Sequence, residues 1–592
     1  MASFQSSLNV SPAATRSDIR LNQAHLTTMD FGQLFPLYCM PTLPADHHNI
    51  KFNIFSRAAP LNFPAYLDAN ITAVTVFVPA YQVFDDADAF FQGLTSYHGK
   101  GLYLPFFTAR TLDSLFIENK SSLLKSVTNA SASNFSYIPA TGTSYSYYQF
   151  TYKGRLFYKI LRCLGYQLSQ NIDLRANSSY LKESAKLRLS ALPLLCYCKA
   201  YLDWFSSSYM YANAPLGALL DKLRKTQDSD IENGIDVLDL FTLLNSLRLM
   251  YKNDYFTNSW RYSGSPILSE SHTITVPSSR TGQTYVATNN RDFVESPVGV
   301  SVNTSASNGI AYLNNLQLRA LNSLDNYIRR NNYAGTKPAI RALSRFGIKT
   351  EDFKSNYADI IDIKRFPLNI GDVTQTSQTD TDAPLGSFAG KGIVNGGTSV
   401  SVKCSDYGYI FVFGYIQLDT MYPQGYDRDV LKTDVFDFYN PDFDGMGMQP
   451  ISYNELVSDP SDSSTVPNYL GNKVFGFTER YNEYRTSRDK ITGDFTLFND
   501  LYAWHAGREM VPFRDGLISA QADDFIYYPN DKQSEFTRIF ALNQIGDSLA
   551  PDHFYLSCYF NDDSVRPIKN SNQIANLGVG SINIQKNGTH LE

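Results

Sequence analysis

Only 3 tryptophans and 6 cysteines occur among the 592 residues, and charged side chains make up 18% of the chain. So little charge, beside 43% hydrophobic residues, excludes the polar composition of a disordered protein. Cys39, Cys163, Cys196, Cys198, Cys404 and Cys558 lie without framework spacing, which argues against a disulfide-stapled secreted fold. No basic start joined to an apolar stretch opens the chain, so the expectation is reduced thiols in a cytoplasm. No uninterrupted apolar run approaches the roughly 18 residues of a membrane-spanning helix, and a soluble protein is expected. A basic excess is missing as well: at a formal charge of -6 the chain does not neutralise nucleic acid by net charge. Internal repeats and low-complexity tracts are also absent.

Aromatics, in contrast, are abundant, with 40 Tyr and 39 Phe. They favour pleated, half-buried surfaces and large contact areas, which points to a mainly β protein with broad interfaces. Phe31 to Pro44 is an apolar run broken by prolines, and Ile50, Phe52 and Ile54 then alternate with neighbours as in a strand. Ile71 to Val78 is a β-branched strand stopped by Pro79. Further strands are expected at Tyr409 to Leu418, Lys473 to Phe477 and Phe554 to Phe560. Successive strands between proline-rich turns predict antiparallel sheets. Asp85 to Gly93 predicts a short helix with carboxylates at its start and glycine at its stop. Leu316, Ala320, Leu324, Tyr327 and Ile328 predict a second over 315–330, and another opens near Thr336 and Pro338 and closes at Gly347. Residues 1–25 are polar and are expected to form an arm that orders only against a neighbour, ahead of one domain over 26–592. Long Ser/Thr/Gly/Asn stretches at 262–310, 371–403 and 452–470 are expected to be loops that serve as partner surfaces.

No catalytic constellation emerges. Gly390-Lys391-Gly392 through Gly397 has its lysine before the wrong glycine for a phosphate loop and is expected to be a flexible turn. Cys196 and Cys198 are two apart on an expected helix, which sends them to different faces and makes buried thiols the better reading. His47 and His48 sit in an expected turn and His505 beside apolar sequence, each without a carboxylate or cysteine partner at local metal-ligand spacing. Asp442-Phe443-Asp444-Gly445 and Asp380-Thr381-Asp382 offer oxygens for a structural divalent cation but lack a complete ligand loop. Arg155, Lys159 and Arg162 share a helix face, as do Arg341, Arg345 and Lys349; each set is a candidate nucleic-acid contact, against the commoner solvated face.

Several segments carry a resemblance in order along the chain. Phe31-Gly32-Gln33-Leu34-Phe35-Pro36, the turn Leu43 to Asp46, Ser56-Arg57-Ala58-Ala59-Pro60 and Phe77-Val78-Pro79 come first. Ala191-Leu192-Pro193 with Tyr197, Tyr201 and Asp203-Trp204-Phe205 follows, then Asp254-Tyr255-Phe256-Thr257. Next are Leu318-Arg319-Ala320, Arg329, Gly335 and Phe346-Gly347, then Thr374 to Ser377 and Pro384-Leu385-Gly386. Tyr422 with Gln424-Gly425, and Phe475-Gly476 leading to Arg480-Tyr481-Asn482-Glu483-Tyr484-Arg485, complete the series. Together they resemble the major capsid protein of the Microviridae, nearer the gokushovirus-like branch than the branch with separate spike proteins. Thr336-Lys337 departs from the family's Arg-Tyr pair, and the tail after Arg566-Pro567 diverges.

The resemblance implies an eight-stranded antiparallel viral jelly-roll barrel with long loop and helical insertions. It implies assembly as pentamers into a T=1 icosahedral shell around a circular single-stranded DNA phage genome. It implies no enzyme and no catalytic, metal or cofactor residues. The partners implied are further copies of the chain, the packaged DNA, a small basic internal protein, a pilot protein, a transient scaffolding protein and a host surface receptor. The protein is then expected in the virion, assembled in the bacterial cytoplasm. A surface protrusion is expected at 261–310, with 106–150 as the alternative. The rival class is a glycan-binding or glycan-cleaving β protein, which sedimentation separates from a particle-forming subunit.

Overall fold

The computed structural model describes residues 16–127 (except 64, 95, 98 and 99), 147–168, 187–206, 214–225, 234–259 and 357–374. It also describes 388–457 (except 445–447), 474–508, 535–541 and 551–568, with 323 and 347 as single positions. Nine strands form its two main sheets: β1 (Ser17–Met29), β2 (Phe35–Thr42), β3 (His47–Ala58), β4 (Ala69–Pro79), β5 (Asp359–Pro367), β6 (Asn369–Thr374), β7 (Phe388–Lys403), β8 (Gly408–Leu418) and β9 (Phe554–Arg566). One sheet has the order β1-β9-β3-β7-β6 and the other β5-β4-β8-β2, with every neighbouring pair antiparallel. The mainly β, antiparallel expectation therefore holds, as a two-sheet sandwich of five and four strands.

The strands divide by burial pattern. β4 (ANITAVTVFVP) and β8 (GYIFVFGYIQL) are apolar almost throughout because both of their faces are covered. On one side lies the other sheet; on the other lies helix α4 (Leu192–Trp204), after α1 (Ala87–Phe91), α2 (Ala109–Glu118) and α3 (Tyr152–Cys163) in chain order. α4 packs Tyr197 5.5 Å from Phe413, and Phe205 follows it 5.6 Å from the same ring. Strands β3 and β9 instead alternate buried and exposed residues, the pattern of a sheet with one wet face. Between the sheets, Tyr38 stacks on Phe560 with ring centres 4.9 Å apart, and Phe31 meets Phe554 edge-on at 5.0 Å. Gly396 is needed here, because a Cβ would lie 2.0 Å from the Phe366 ring.

Local chemistry explains the helices. Thr108 and Thr151 cap α2 and α3 by accepting the backbone N–H groups of Thr111 and Gly154, both at 3.1 Å. Pro193 stands in the first turn of α4, where its missing N–H costs nothing. The short helix expected at 85–93 is α1, followed by Gly93 at φ +82°. The helices expected at 315–330 and 336–347 fall outside the described residues, apart from 323 and 347.

Three expectations are corrected. Residues 17–25 are not a free arm: they belong to β1, which pairs along its whole length with β9 of the same chain. Part of the stretch 371–403, with its glycines at 390–397, is not a turn but strand β7, because pairing with β3 and β6 satisfies the backbone and small side chains admit Phe366 and Ala58 at close approach. His47 and His48 open β3 and are not in a turn. The expected protrusion at 261–310 lies outside the described residues. The alternative at 106–150 begins inside the body, where Phe106, Phe107, Leu112, Leu115 and Phe116 are buried.

Candidate functional site

The basic face of α3 turns inward. Lys159 Nζ contacts the carboxylate of Asp552, donates to Gln33 Oε1 at 3.2 Å and lies 4.9 Å from the Phe35 ring centre. Arg155 reaches the other Asp552 oxygen at 3.6 Å, and Thr28 donates to Asp552 at 2.7 Å. Burial alone raises the Asp552 pKa, but Lys159 and Arg155 outweigh it and hold the carboxyl below its ordinary value. Burial outweighs Asp552 at Lys159, whose pKa is lowered. Of the three basic residues expected on one face, only Arg162 is exposed; the other two form an internal pin and not a nucleic-acid contact. Arg341, Arg345 and Lys349 lie outside the described residues.

A second pin joins the two sheets of the sandwich. His48 Nδ1 is 2.7 Å from Asp562 Oδ2, and its Nε2 is 3.4 Å from Asp46 Oδ2. Tyr38 donates to Asp562 at 3.0 Å, and Arg566 Nε lies 3.3 Å from Asp46. Burial, followed by the charge of Asp562, pushes the Tyr38 phenol up. His553 repeats the arrangement, 3.0 Å from Asp30 and stacked on Phe540 at 4.3 Å. His48 does have carboxylate partners, one two residues away and one 514 away; the nearer was readable in the sequence and the farther was not. His505 Nδ1 accepts the Gly507 N–H at 2.9 Å.

Burial pushes the Cys196 and Cys198 thiols of α4 well up, which keeps them protonated and unreactive. Asp442 sits in a 3-10 turn and Asp444 lies 3.3 Å from Arg485. Among the described residues no group of three His, Cys, Asp or Glu side chains is placed to hold a metal ion; Asp380 and Asp382 lie outside them. No helix among the described residues is long and apolar enough to cross a membrane.

Several motifs of the resemblance meet in one knot, which the sequence did not disclose. Asp254 accepts the backbone N–H groups of Phe256 and Thr257 and the hydroxyl of Tyr422 at 2.9, 2.7 and 2.9 Å. Glu455, fully buried, accepts from Tyr255 at 3.0 Å and from Arg428 at 2.9 Å. Gly425 passes so close that a Cβ would lie 1.7 Å from the Glu455 carbonyl oxygen. This knot anchors a lobe over 422–444 and 479–504 that consists largely of short 3-10 turns. Apolar side chains stand out from it: Val435 is 80% exposed and Leu497 74%, with Val430, Phe438, Tyr439, Tyr484 and Phe498 also exposed. Tyr439 and Tyr484 touch edge-on at 5.9 Å, with Lys432 lying 4.1 Å from the Tyr484 ring centre. Aromatic side chains are enriched at protein contacts relative to the rest of a protein surface.

A family model described as capsid protein (F protein) matches residues 8–110 and 166–569. The capsid protein VP1 of Bdellovibrio phage phiMH2K is 23% identical over 375 residues, covering 57% of this chain and 66% of that protein. Capsid protein VP1 of Chlamydia phage 1 is 25% identical over 222 residues, 36% of each chain. That of Spiroplasma virus 4 is 24% identical over 200 residues, 31% of this chain and 35% of the relative. The aligned stretches thus span between 35% and 66% of the relatives' own lengths. The two matched blocks contain all nine strands of the sandwich, and the chain belongs to the capsid protein (F protein) family.

Proposed function

We propose that this chain is the major shell subunit of a small tailless phage, with no catalytic chemistry of its own. The observation that carries the reading is the family match across both sheets. The sandwich is read as the viral jelly roll, with sheets β1-β9-β3-β7 and β2-β8-β4-β5 and with β6 as an added strand at one sheet edge, and the subunits as pentamers that close a T=1 icosahedral shell around single-stranded DNA. The apolar lobe over 422–444 and 479–504 supports this, since it supplies a contact surface beyond what a monomer needs. Because the chain is acidic overall, a small basic internal protein or bound cations offset the phosphates. Pilot and transient scaffolding proteins complete assembly in the bacterial cytoplasm. Host contact is assigned to 261–310, a Ser/Thr/Asn-rich stretch between two motifs of the resemblance; the buried start of 106–150 argues against the alternative.

The test is electron microscopy of nuclease-treated particles from infected cells, with gel analysis of their protein and nucleic acid. The expected result is that this chain dominates small icosahedral particles holding single-stranded DNA. A chain absent from particles and sedimenting as a small species overturns the proposal.

A further inference from the structure

The five-stranded sheet has one face packed on the core and one face open, and the register shows what the open face carries. Tyr555 lies opposite Arg57, Ser557 opposite Phe55, and Tyr559 opposite Asn53. Phe55 is therefore the diagonal neighbour of both tyrosines, and the three rings form a triangle on two adjacent strands. Tyr559 is 51% exposed and Tyr555 38%. The Arg57 guanidinium sits 5.3 Å from the Phe55 ring centre. Asn53, Asn561, Asn22 and Asn395 stand on the same face by register, offering amides beside the rings.

The charge of this face is opposite to that of the chain. Register places Arg20, Lys51, Arg57, Lys391 and Lys403 on it, against the carboxylates Asp18 and Asp563. Asp563 lies 3.7 Å from Arg20 and 3.4 Å from Lys51, so it offsets part of their charge and leaves the remaining cations in excess. A protein whose formal charge is -6 thus gathers cations around exposed rings on one sheet. Lysine is depleted at the cores of protein interfaces, whereas cations that track a backbone beside rings that stack bases are the means of binding unpaired nucleic acid.

We propose that the open face of the β1-β9-β3-β7-β6 sheet binds single-stranded polynucleotide. Phe55, Tyr555 and Tyr559 stack on bases, and Lys51, Arg57 and Lys391 contact phosphates. This rests on the packaging role proposed above and goes beyond it by naming the face that meets the genome. Stacking is indifferent to base identity, as a shell enclosing an arbitrary sequence requires.

The experiment uses the purified full-length chain and a fluorescein-labelled oligothymidylate, with anisotropy read over a salt series. Tyr555→Ala and Tyr559→Ala are each expected to weaken binding about 5- to 100-fold. Tyr555→Phe and Tyr559→Phe keep the ring and are expected to bind as the parent does. Lys51→Ala is expected to lower the salt slope by about 0.7. Circular dichroism of each variant separates lost binding from lost fold. Parent-like affinity in both alanine variants overturns the assignment, as does equal affinity for a duplex of the same length. If Tyr559→Ala abolishes particles but leaves oligonucleotide affinity unchanged, the face is a protein contact and the assignment is wrong. Particles that hold no single-stranded DNA overturn the packaging role instead, whatever the oligonucleotide result.

Discussion

His48 and Asp562 meet at 2.7 Å although 514 residues separate them, and both side chains are fully buried. Asp562 also accepts the Tyr38 hydroxyl, so one carboxylate ties β2, β3 and β9 across both sheets. Removing it leaves the buried His48 Nδ1 and the buried Tyr38 hydroxyl without their partner, although His48 Nε2 still faces Asp46. Each orphaned group costs roughly 1–3 kcal/mol, so Asp562→Ala is expected to destabilise the chain by about 2–5 kcal/mol in guanidinium unfolding. Tyr38→Phe removes one donor and leaves no orphan of its own, and is expected to cost about 1 kcal/mol. A similar cost for both variants would count against the tie.

Asp552 provides the pH prediction. Its folded pKa lies below the ordinary 3.8 despite burial, because Lys159 and Arg155 face it. A depressed carboxyl stabilises the fold above its unfolded value, and that contribution disappears as pH falls through the folded value. Unfolding followed from neutral pH downward should therefore show a loss of stability below about pH 4. Asp552→Asn should flatten that loss while costing about 3–5 kcal/mol at neutral pH, the effect of leaving buried cations without their partner. Lys159→Met is expected to cost less, since Arg155 and Thr28 still face the carboxylate. An acid limb unchanged in Asp552→Asn assigns the pH dependence to other groups.

The six cysteines are all free. Burial raises the Cys39, Cys163, Cys404 and Cys558 thiols to about 12, and Cys196 and Cys198 are shifted up as well. Because the thiolate is the reactive form, the native chain should react negligibly with a chromogenic disulfide reagent at neutral pH. All six should react once guanidinium unfolds it. Rapid reaction of any of them in the native state contradicts its burial.

What was legible in the sequence follows from the range of the interactions. β4 and β8 were readable because continuous apolar runs need no partner to be recognised, and α1 because its stop is a local glycine. β7 was not readable: its glycines look like a loop until Phe366 and Ala58 are seen against them. β1 looked like an arm because, at a sheet edge, it buries few side chains, and its pairing to β9 joins residues more than 520 apart. The basic face of α3 was visible, but its inward direction was not, because Asp552 lies 393 residues away. Asp254, Tyr255 and Tyr422 stand in recognisable motifs, yet their meeting in one knot with Glu455 depends on contacts up to 200 residues long.

The lobe over 422–444 and 479–504 tests the assembly proposal most directly, because its side chains can be changed without touching the core. Val435 and Leu497 are largely exposed, so Val435→Asp and Leu497→Asp should shift the unfolding free energy by no more than about 0.5 kcal/mol. In a shell the same changes leave a carboxylate desolvated at a subunit contact and forfeit roughly 1–3 kcal/mol of apolar burial at each one. A closed particle repeats that loss at every copy of the contact, so a modest local penalty becomes a failure to close. The expected outcome is a folded chain that sediments as a small species where the parent sediments as particles. Gly425→Ala is the complementary variant: its Cβ would strike the backbone of Glu455, displacing the lobe from its anchor, so it should lower both stability and particle yield. Wild-type particle yield from Val435→Asp and Leu497→Asp together would place the lobe on the solvent side of the shell and move the search for subunit contacts elsewhere on the sandwich.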